Sequence, residues 1–153
     1  MSNRRLGLIA HGEAVDLEFS ADSVAVRGVP PSPRLLYAPL VQLALGHGAD
    51  KEAIALARKL LRSPPTFWHY RTCEDVLAEV FMKLGRWEVA AQEYQRVLRM
   101  TPNDALATFN LAQAYERQGR PDVARPIYQQ FLKLWSHADP ELAEYQVARQ
   151  RLQ

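Results

Sequence analysis

Residues 77–94 read LAEVFMKLGRWEVAAQEY, and residues 111–128 read LAQAYERQGRPDVARPIY. Like residues recur 34 positions apart in and just beyond these segments. The matching pairs are Leu77/Leu111, Ala78/Ala112, Phe81/Tyr115, Gly85/Gly119, Ala90/Ala124, Tyr94/Tyr128 and Leu98/Leu132. A fixed period of about 20–50 residues is typical of solenoids, whose units bury their apolar faces only against neighbouring units. The pattern therefore predicts a mainly α fold built from stacked helix pairs.

Helical periodicity continues on both sides of this repeat, interrupted by glycine and proline. The predicted helices are Leu35–Leu45, Lys51–Leu61, Thr72–Leu84, Trp87–Met100, Asp104–Gln118, Pro121–Trp135 and Glu141–Leu152. Asp50 and Asp139 precede the second and last of these helices. Because aspartate is a favoured N-cap residue, both are predicted to cap them.

The repeated residues resemble the tetratricopeptide repeat family, a helix–turn–helix repeat of about 34 residues. Two repeats carry the resemblance most clearly. Their family positions are Glu74, Leu77, Ala78, Phe81, Ala90, Tyr94, Val97 and Pro102, and then Thr108, Leu111, Ala112, Tyr115, Ala124, Tyr128, Phe131 and Ser136. A weaker first copy has Tyr37, Leu40, Val41, Ala44, Gly48, Ala53, Ala57, Leu60 and Pro65. The resemblance implies an α-solenoid of about three helix pairs with a C-terminal capping helix over residues 34–153.

The first 33 residues follow a different pattern. Glu13–Phe19 alternates, with Val15, Leu17 and Phe19 on one side, and predicts a β-strand. Arg5–Ala10 and Ser23–Arg27 are further candidate strands. Because so small a sheet is marginal in water, we expect this β arm to lie on the helices or on another chain, or else to be disordered. The prolines of Val29–Pro33 predict a linker between an arm at 1–33 and a repeat domain at 34–153.

Composition limits the classes of function. The net charge of +2 comes from 19 basic and 17 acidic residues, a balance that argues against nucleic-acid binding. No apolar run is long enough to span a bilayer. Cys73 is the only cysteine, so an internal disulfide is excluded and a reducing compartment is the simpler interpretation. We expect a cytoplasmic protein.

The resemblance also implies where a partner would bind. Members of this family hold extended peptides in a concave groove lined by the first helix of each repeat, helix A. On that template the candidate contacts are Gln42, Asp75, Glu79, Met82, Phe109, Asn110, Gln113 and Glu116. The three acidic residues disfavour an acidic ligand and favour a basic or neutral-apolar peptide. The competing interpretation is that these are ordinary solvated side chains.

Secondary contacts to a partner are predicted at two further places. One is the apolar side of the β arm, at Val15, Leu17 and Phe19. The other is the aromatic connector at Phe67 and Trp68, whose side chains either fill the space between repeats or anchor a partner.

No constellation of residues predicts catalysis. His69 and Cys73 are four residues apart, but a metal site needs at least three ligands and a Cys–His nucleophile needs an orienting third group. We therefore expect no metal, no cofactor and no enzymatic activity. The sequence favours an adaptor or assembly factor that holds a peptide or partner subunit. The alternative is a structural subunit of a larger complex, or a self-associating one, docked by strand addition through the β arm.

Overall fold

The computed structural model describes residues 4–10, 13–19, 33–62 and 73–153, with side chains described for 37–62 and 74–153. These residues form strands β1 (Arg4–Ala10) and β2 (Glu13–Phe19), a 3-10 turn at Cys73–Asp75, and the helices α1 (Pro33–Gly46), α2 (Asp50–Arg62), α3 (Val76–Lys83), α4 (Trp87–Met100), α5 (Ala105–Arg117), α6 (Pro121–Leu134) and α7 (Ala143–Leu152). The chain divides into two compact units, Met1–Val80 and Phe81–Gln153.

In the first unit, β1 and β2 pair antiparallel, with Leu6 opposite Leu17 and Leu8 opposite Val15. The third candidate strand, Ser23–Arg27, and most of the proline linker lie outside the described residues, and the division at residue 33 stays a prediction. Helices α1 and α2 pack on one another. Their buried side chains are Leu40, Val41, Ala44, Ala53, Leu56, Ala57 and Leu60.

The predicted capping role of Asp50 is wrong. Ala49 occupies the position before the helix, since its carbonyl accepts a hydrogen bond from Ala53 N at 2.9 Å. Asp50 is the first residue of α2 instead. A carboxylate there still stabilises the helix, because it lies at the positive end of the helix dipole.

In the second unit, α4 packs on α5, α5 on α6, and α6 on α7. The core cluster consists of Ala105, Phe109, Ala112, Ala124, Tyr128, Phe131 and Ala148. Alanines allow the helices to approach closely, and the aromatic rings fill the space that remains. Phe109 lies edge-on to Tyr128, with ring centroids 5.8 Å apart, and 5.1 Å from Phe131. The predicted repeat of helix pairs is confirmed.

Equivalent turns join the two helices of each pair. Gly48, Gly85 and Gly119 have φ values of 69°, 69° and 74°. In the last of these turns, Gly119 N donates to Glu116 O at 2.9 Å and Arg120 N donates to Tyr115 O at 3.0 Å. This pair of bonds satisfies carbonyls at the end of α5, and it requires a residue that tolerates positive φ. The recurring glycine is therefore a consequence of backbone geometry.

The last helix starts later than expected. Asp139 Oδ1 accepts a hydrogen bond from Glu141 N at 2.9 Å, which forms a tight turn ahead of the helix. Leu142 is extended (φ −60°, ψ 132°), and α7 begins at Ala143. The predicted capping of a helix at Glu141 by Asp139 is thus wrong. Within the described part of the chain, no helix has both the length and the apolar character needed to cross a membrane.

Candidate functional site

Helix α5 provides much of the candidate surface, and its start is fixed by two hydrogen bonds. Asp104 Oδ1 accepts from Ala107 N at 2.9 Å, and Thr108 Oγ1 donates to Asp104 O at 2.7 Å. The side chains that α5 buries are those of Ala105, Ala107, Thr108, Phe109, Leu111, Ala112 and Ala114. Leu106, Asn110 and Gln113 remain half-buried on another side of the helix. We call these three residues the α5 stripe.

The α5 stripe carries two side-chain amides. Asn110 and Gln113 are three residues apart, so their side chains are neighbours on the helix surface. Within residues 81–153, neither amide forms a side-chain hydrogen bond. Each amide offers a donor and an acceptor, the pair of groups that an extended peptide backbone also presents. In the described part of the second unit, neither amide is thus engaged by another side chain.

Phe109 lies in the core and not on the binding surface where the sequence placed it. Its side chain is 4% exposed and packs in the aromatic cluster of α5 and α6. The helix turns by about 100° per residue, so Phe109 and Asn110, although adjacent, point in different directions. A ligand on the α5 stripe would contact Asn110 and would not reach the Phe109 ring.

Both carboxylate oxygens of Glu116 have partners within the second unit. Its Oε1 lies 2.7 Å from Arg151 Nε, and its Oε2 accepts a hydrogen bond from the Tyr128 hydroxyl at 2.8 Å. Burial, together with this hydrogen bond and the charge of Glu116, raises the pKa of Tyr128 well above its usual range. The neutral phenol therefore remains the donor. Arg151 offsets the negative charge that the sequence assigned to this end of α5.

A small cavity of about 90 Å³ lies beside this group. It is lined by Glu116, Pro121, Ala124, Arg125, Tyr128 and Arg151. Sequence reasoning did not identify Arg125 or Arg151 as part of the candidate site. The available signal was the pair of opposite charges at Glu116 and Arg151, which lie close to one repeat period apart.

The remaining predicted contacts fall in other parts of the chain. Gln42 is exposed on α1, and Asp75 and Glu79 are half-buried at the 3-10 turn and on α3, all in the first unit. Met82 is half-buried at the end of α3, in the second unit.

The secondary contacts are placed only in part. Val15, Leu17 and Phe19 lie on β2, and Phe67 and Trp68 are outside the described residues. Among the described side chains, no three His, Cys, Asp or Glu residues are grouped to hold a metal ion. The part that each predicted contact plays in binding stays a prediction.

Comparisons with known proteins agree with the repeat. The tetratricopeptide repeat profile matches residues 76–151. PcrH from Pseudomonas aeruginosa has a similar structure, with a TM-score of 0.63, 21% identity, and 88% of this chain and 92% of PcrH covered. The structure of PcrH in complex with the chaperone binding region of PopB has a TM-score of 0.64 and 20% identity to this chain. The match covers 83% of this chain and 100% of that chain.

A tetratricopeptide-repeat-like protein from Chlorobium tepidum gives a TM-score of 0.55 and 19% identity, with 78% of this chain and 92% of that protein covered. At these identities the structural similarity establishes the fold alone. No curated protein matches the chain.

Proposed function

The chain belongs to the tetratricopeptide repeat family, and from this we propose that it is a non-enzymatic adaptor or assembly factor of the cytoplasm. It holds an extended peptide, or a segment of a partner subunit, on the surface formed by helix A of its repeats. The solved complex of PcrH with the chaperone binding region of PopB supports this proposal, since a protein of the same fold there holds part of another protein.

The main support for this proposal is the arrangement of side chains in the α5 stripe. A buried or half-buried amide without a partner is costly unless a ligand or water satisfies it. The amides of Asn110 and Gln113 are half-buried on adjacent turns of one helix, and no side-chain polar atom of the described residues is both buried and unsatisfied, so these amides remain open to water or to a ligand. A peptide laid along α5 would satisfy both amides and cover Leu106.

The ion pair between Glu116 and Arg151 limits the charge that we expect of a ligand at α5. Because Arg151 neutralises Glu116, the second unit has no need of a positive charge on the ligand at this point. We propose that the segment contacting α5 is neutral and apolar.

The test begins with selection of binding peptides from a displayed random library against the whole chain. The affinity of a selected peptide is then measured for the double variant Asn110→Ala/Gln113→Ala. Gln129→Ala/Gln130→Ala is the matched control, since these exposed residues of α6 lose similar amides elsewhere. We expect a loss of about tenfold or more in the first variant only, because two hydrogen bonds of about 1 kcal/mol each are removed. Equal affinity in both variants would exclude the α5 stripe.

A second candidate function rests on β1 and β2. In the described residues each strand pairs only with the other, so each has an edge that another strand could join. The chain would then be a structural subunit whose β arm completes a partner's sheet through β2. Light scattering after size exclusion separates the two: an isolated adaptor is monomeric, whereas a subunit docked through this arm self-associates when purified alone.

A further inference from the structure

The two helix-pair turns of the second unit carry arginine at the same place. Arg86 follows Gly85, and Arg120 follows Gly119, one repeat period later. Gln118 Nε2 donates a hydrogen bond to Trp87 O at 3.0 Å, which places the first turn directly beside the end of α5. The two turns therefore lie side by side on one edge of the unit.

Two arginines on this edge are held by aromatic rings. The guanidinium carbon of Arg117 lies 5.7 Å from the centre of the Trp87 ring, and that of Arg120 lies 5.1 Å from the centre of the Tyr115 ring. A guanidinium held over a ring keeps N–H donors at its rim free for a carboxylate. The contact also fixes the side chain, so less conformational entropy is lost when a ligand binds.

The positive charge of this edge is not cancelled within the unit. Arg86, Arg117 and Arg120 are exposed, and in residues 81–153 none of them forms an ion pair. We call Arg86, Arg117 and Arg120 the arginine edge. The acids that begin α4 and α6, Glu88 and Asp122, offset only part of its charge.

We propose that the arginine edge is a second binding surface, separate from the α5 stripe, for an acidic segment of a partner protein. Closely spaced glutamate or aspartate side chains would each accept paired hydrogen bonds from one guanidinium. Nucleic acid fits this edge less well. Arginine already covers a face of Trp87 and of Tyr115, which leaves these rings poorly placed to stack on bases, and Glu88 and Asp122 would repel a phosphate backbone.

The test uses the full chain and a fluorescent glutamate-rich peptide as probe. Arg117→Gln/Arg120→Gln is compared with Arg99→Gln/Lys133→Gln, which removes the same net charge from exposed positions on α4 and α6. We expect the affinity to fall about tenfold or more in the first variant and less than about twofold in the control. Added salt should weaken binding to the unmodified protein, since the contacts are ionic and exposed.

A third variant, Arg117→Lys/Arg120→Lys, keeps the charge but loses the paired hydrogen bonds, and it should bind with intermediate affinity. It also serves as the test if the glutamine variant fails to fold. Equal losses in the edge and control variants would overturn the proposal, as would unchanged affinity in both the glutamine and lysine variants. Tighter binding to a single-stranded oligonucleotide than to the peptide, lost in the same variant, would replace it with a nucleic-acid surface.

Discussion

Glu116 on α5 and Arg151 on α7 form an ion pair, with Oε1 and Nε 2.7 Å apart, that joins the last repeat to the C-terminal helix. Arg125 of α6 adds a hydrogen bond to the carbonyl of Leu152, at 2.8 Å. Helix α7 buries only Ala148 fully, so these polar contacts supplement a small apolar contact. They hold the end of the helix in place as a cap on the core of the second unit.

Removing the side chain of Arg151 should lower the stability of the protein only slightly. Arg151→Ala is expected to lower the free energy of unfolding by about 0.5–1 kcal/mol, since the two side chains are 47% and 30% exposed and solvent screens the pair. Urea unfolding followed by circular dichroism measures this change. Arg149→Ala, an exposed arginine on the same helix, is the control and should change stability little. A loss of several kcal/mol at Arg151 would mean that the pair is more important than its exposure indicates.

The raised pKa of Tyr128 predicts a pH dependence of stability. Burial and Glu116 favour the neutral phenol in the folded chain, whereas an unfolded tyrosine loses its proton near pH 10. The unfolded state therefore releases the proton first, and stability is lost as the pH rises above about 10. The free energy of unfolding of the unmodified protein, relative to Tyr128→Phe, should be constant from pH 7 to 9 and fall at pH 11. A difference that stays constant up to pH 11 would contradict the coupling.

The turn at Gly119 should reject a side chain for conformational reasons alone. A Cβ added there meets no atom within 4 Å, but the residue has φ of +74°. Gly119→Ala is expected to lower stability by about 1 kcal/mol. Gly119→Asn should cost less, because asparagine adopts this conformation more readily.

Gly46→Ala is the matched control. It adds the same methyl group at the end of α1, where nothing lies within 4 Å and the backbone is helical. A cost at Gly46 equal to the cost at Gly119 would refute the role given to the positive φ.

Phe109 should behave as a core residue. Phe109→Ala is expected to lower the free energy of unfolding by about 3–5 kcal/mol, since it removes a ring that contacts both Tyr128 and Phe131. Phe109→Leu should lose less, because much of the volume is kept. If thermal unfolding of Phe109→Ala matched that of the unmodified protein while peptide affinity fell, the residue would be a binding contact as first predicted.

The helical repeat could be predicted from the sequence because residues that make equivalent helix contacts recur at a fixed spacing. Aromatic residues and alanines recur at the positions where equivalent helices contact one another. Helix α4 has the predicted bounds. The positive φ at residues 85 and 119 favours glycine, so these turns could also be recognised in the sequence. Asp50 and Asp139 were predicted wrongly as caps, because an aspartate before a helix serves equally well in the first turn or in a preceding tight turn.

The candidate site was less visible in the sequence. Phe109 and Asn110 are neighbours in the chain, and only the direction of each side chain on α5 separates core from surface. The neutralisation of Glu116 depends on Arg151, a residue of a helix that the repeat pattern does not include. The spacing of the two residues, close to one repeat period, does not by itself show that their side chains meet, so the charge of this end of α5 required the structure.

The proposed adaptor function depends on a peptide that binds along the α5 stripe. Its most direct test is an NMR titration of the isotope-labelled full chain with a peptide selected for binding. We expect shifts in the side-chain amide signals of Asn110 and Gln113 and in the backbone signal of Leu106. Shifts confined to residues 4–19 of the β arm, with α5 unchanged, would contradict it.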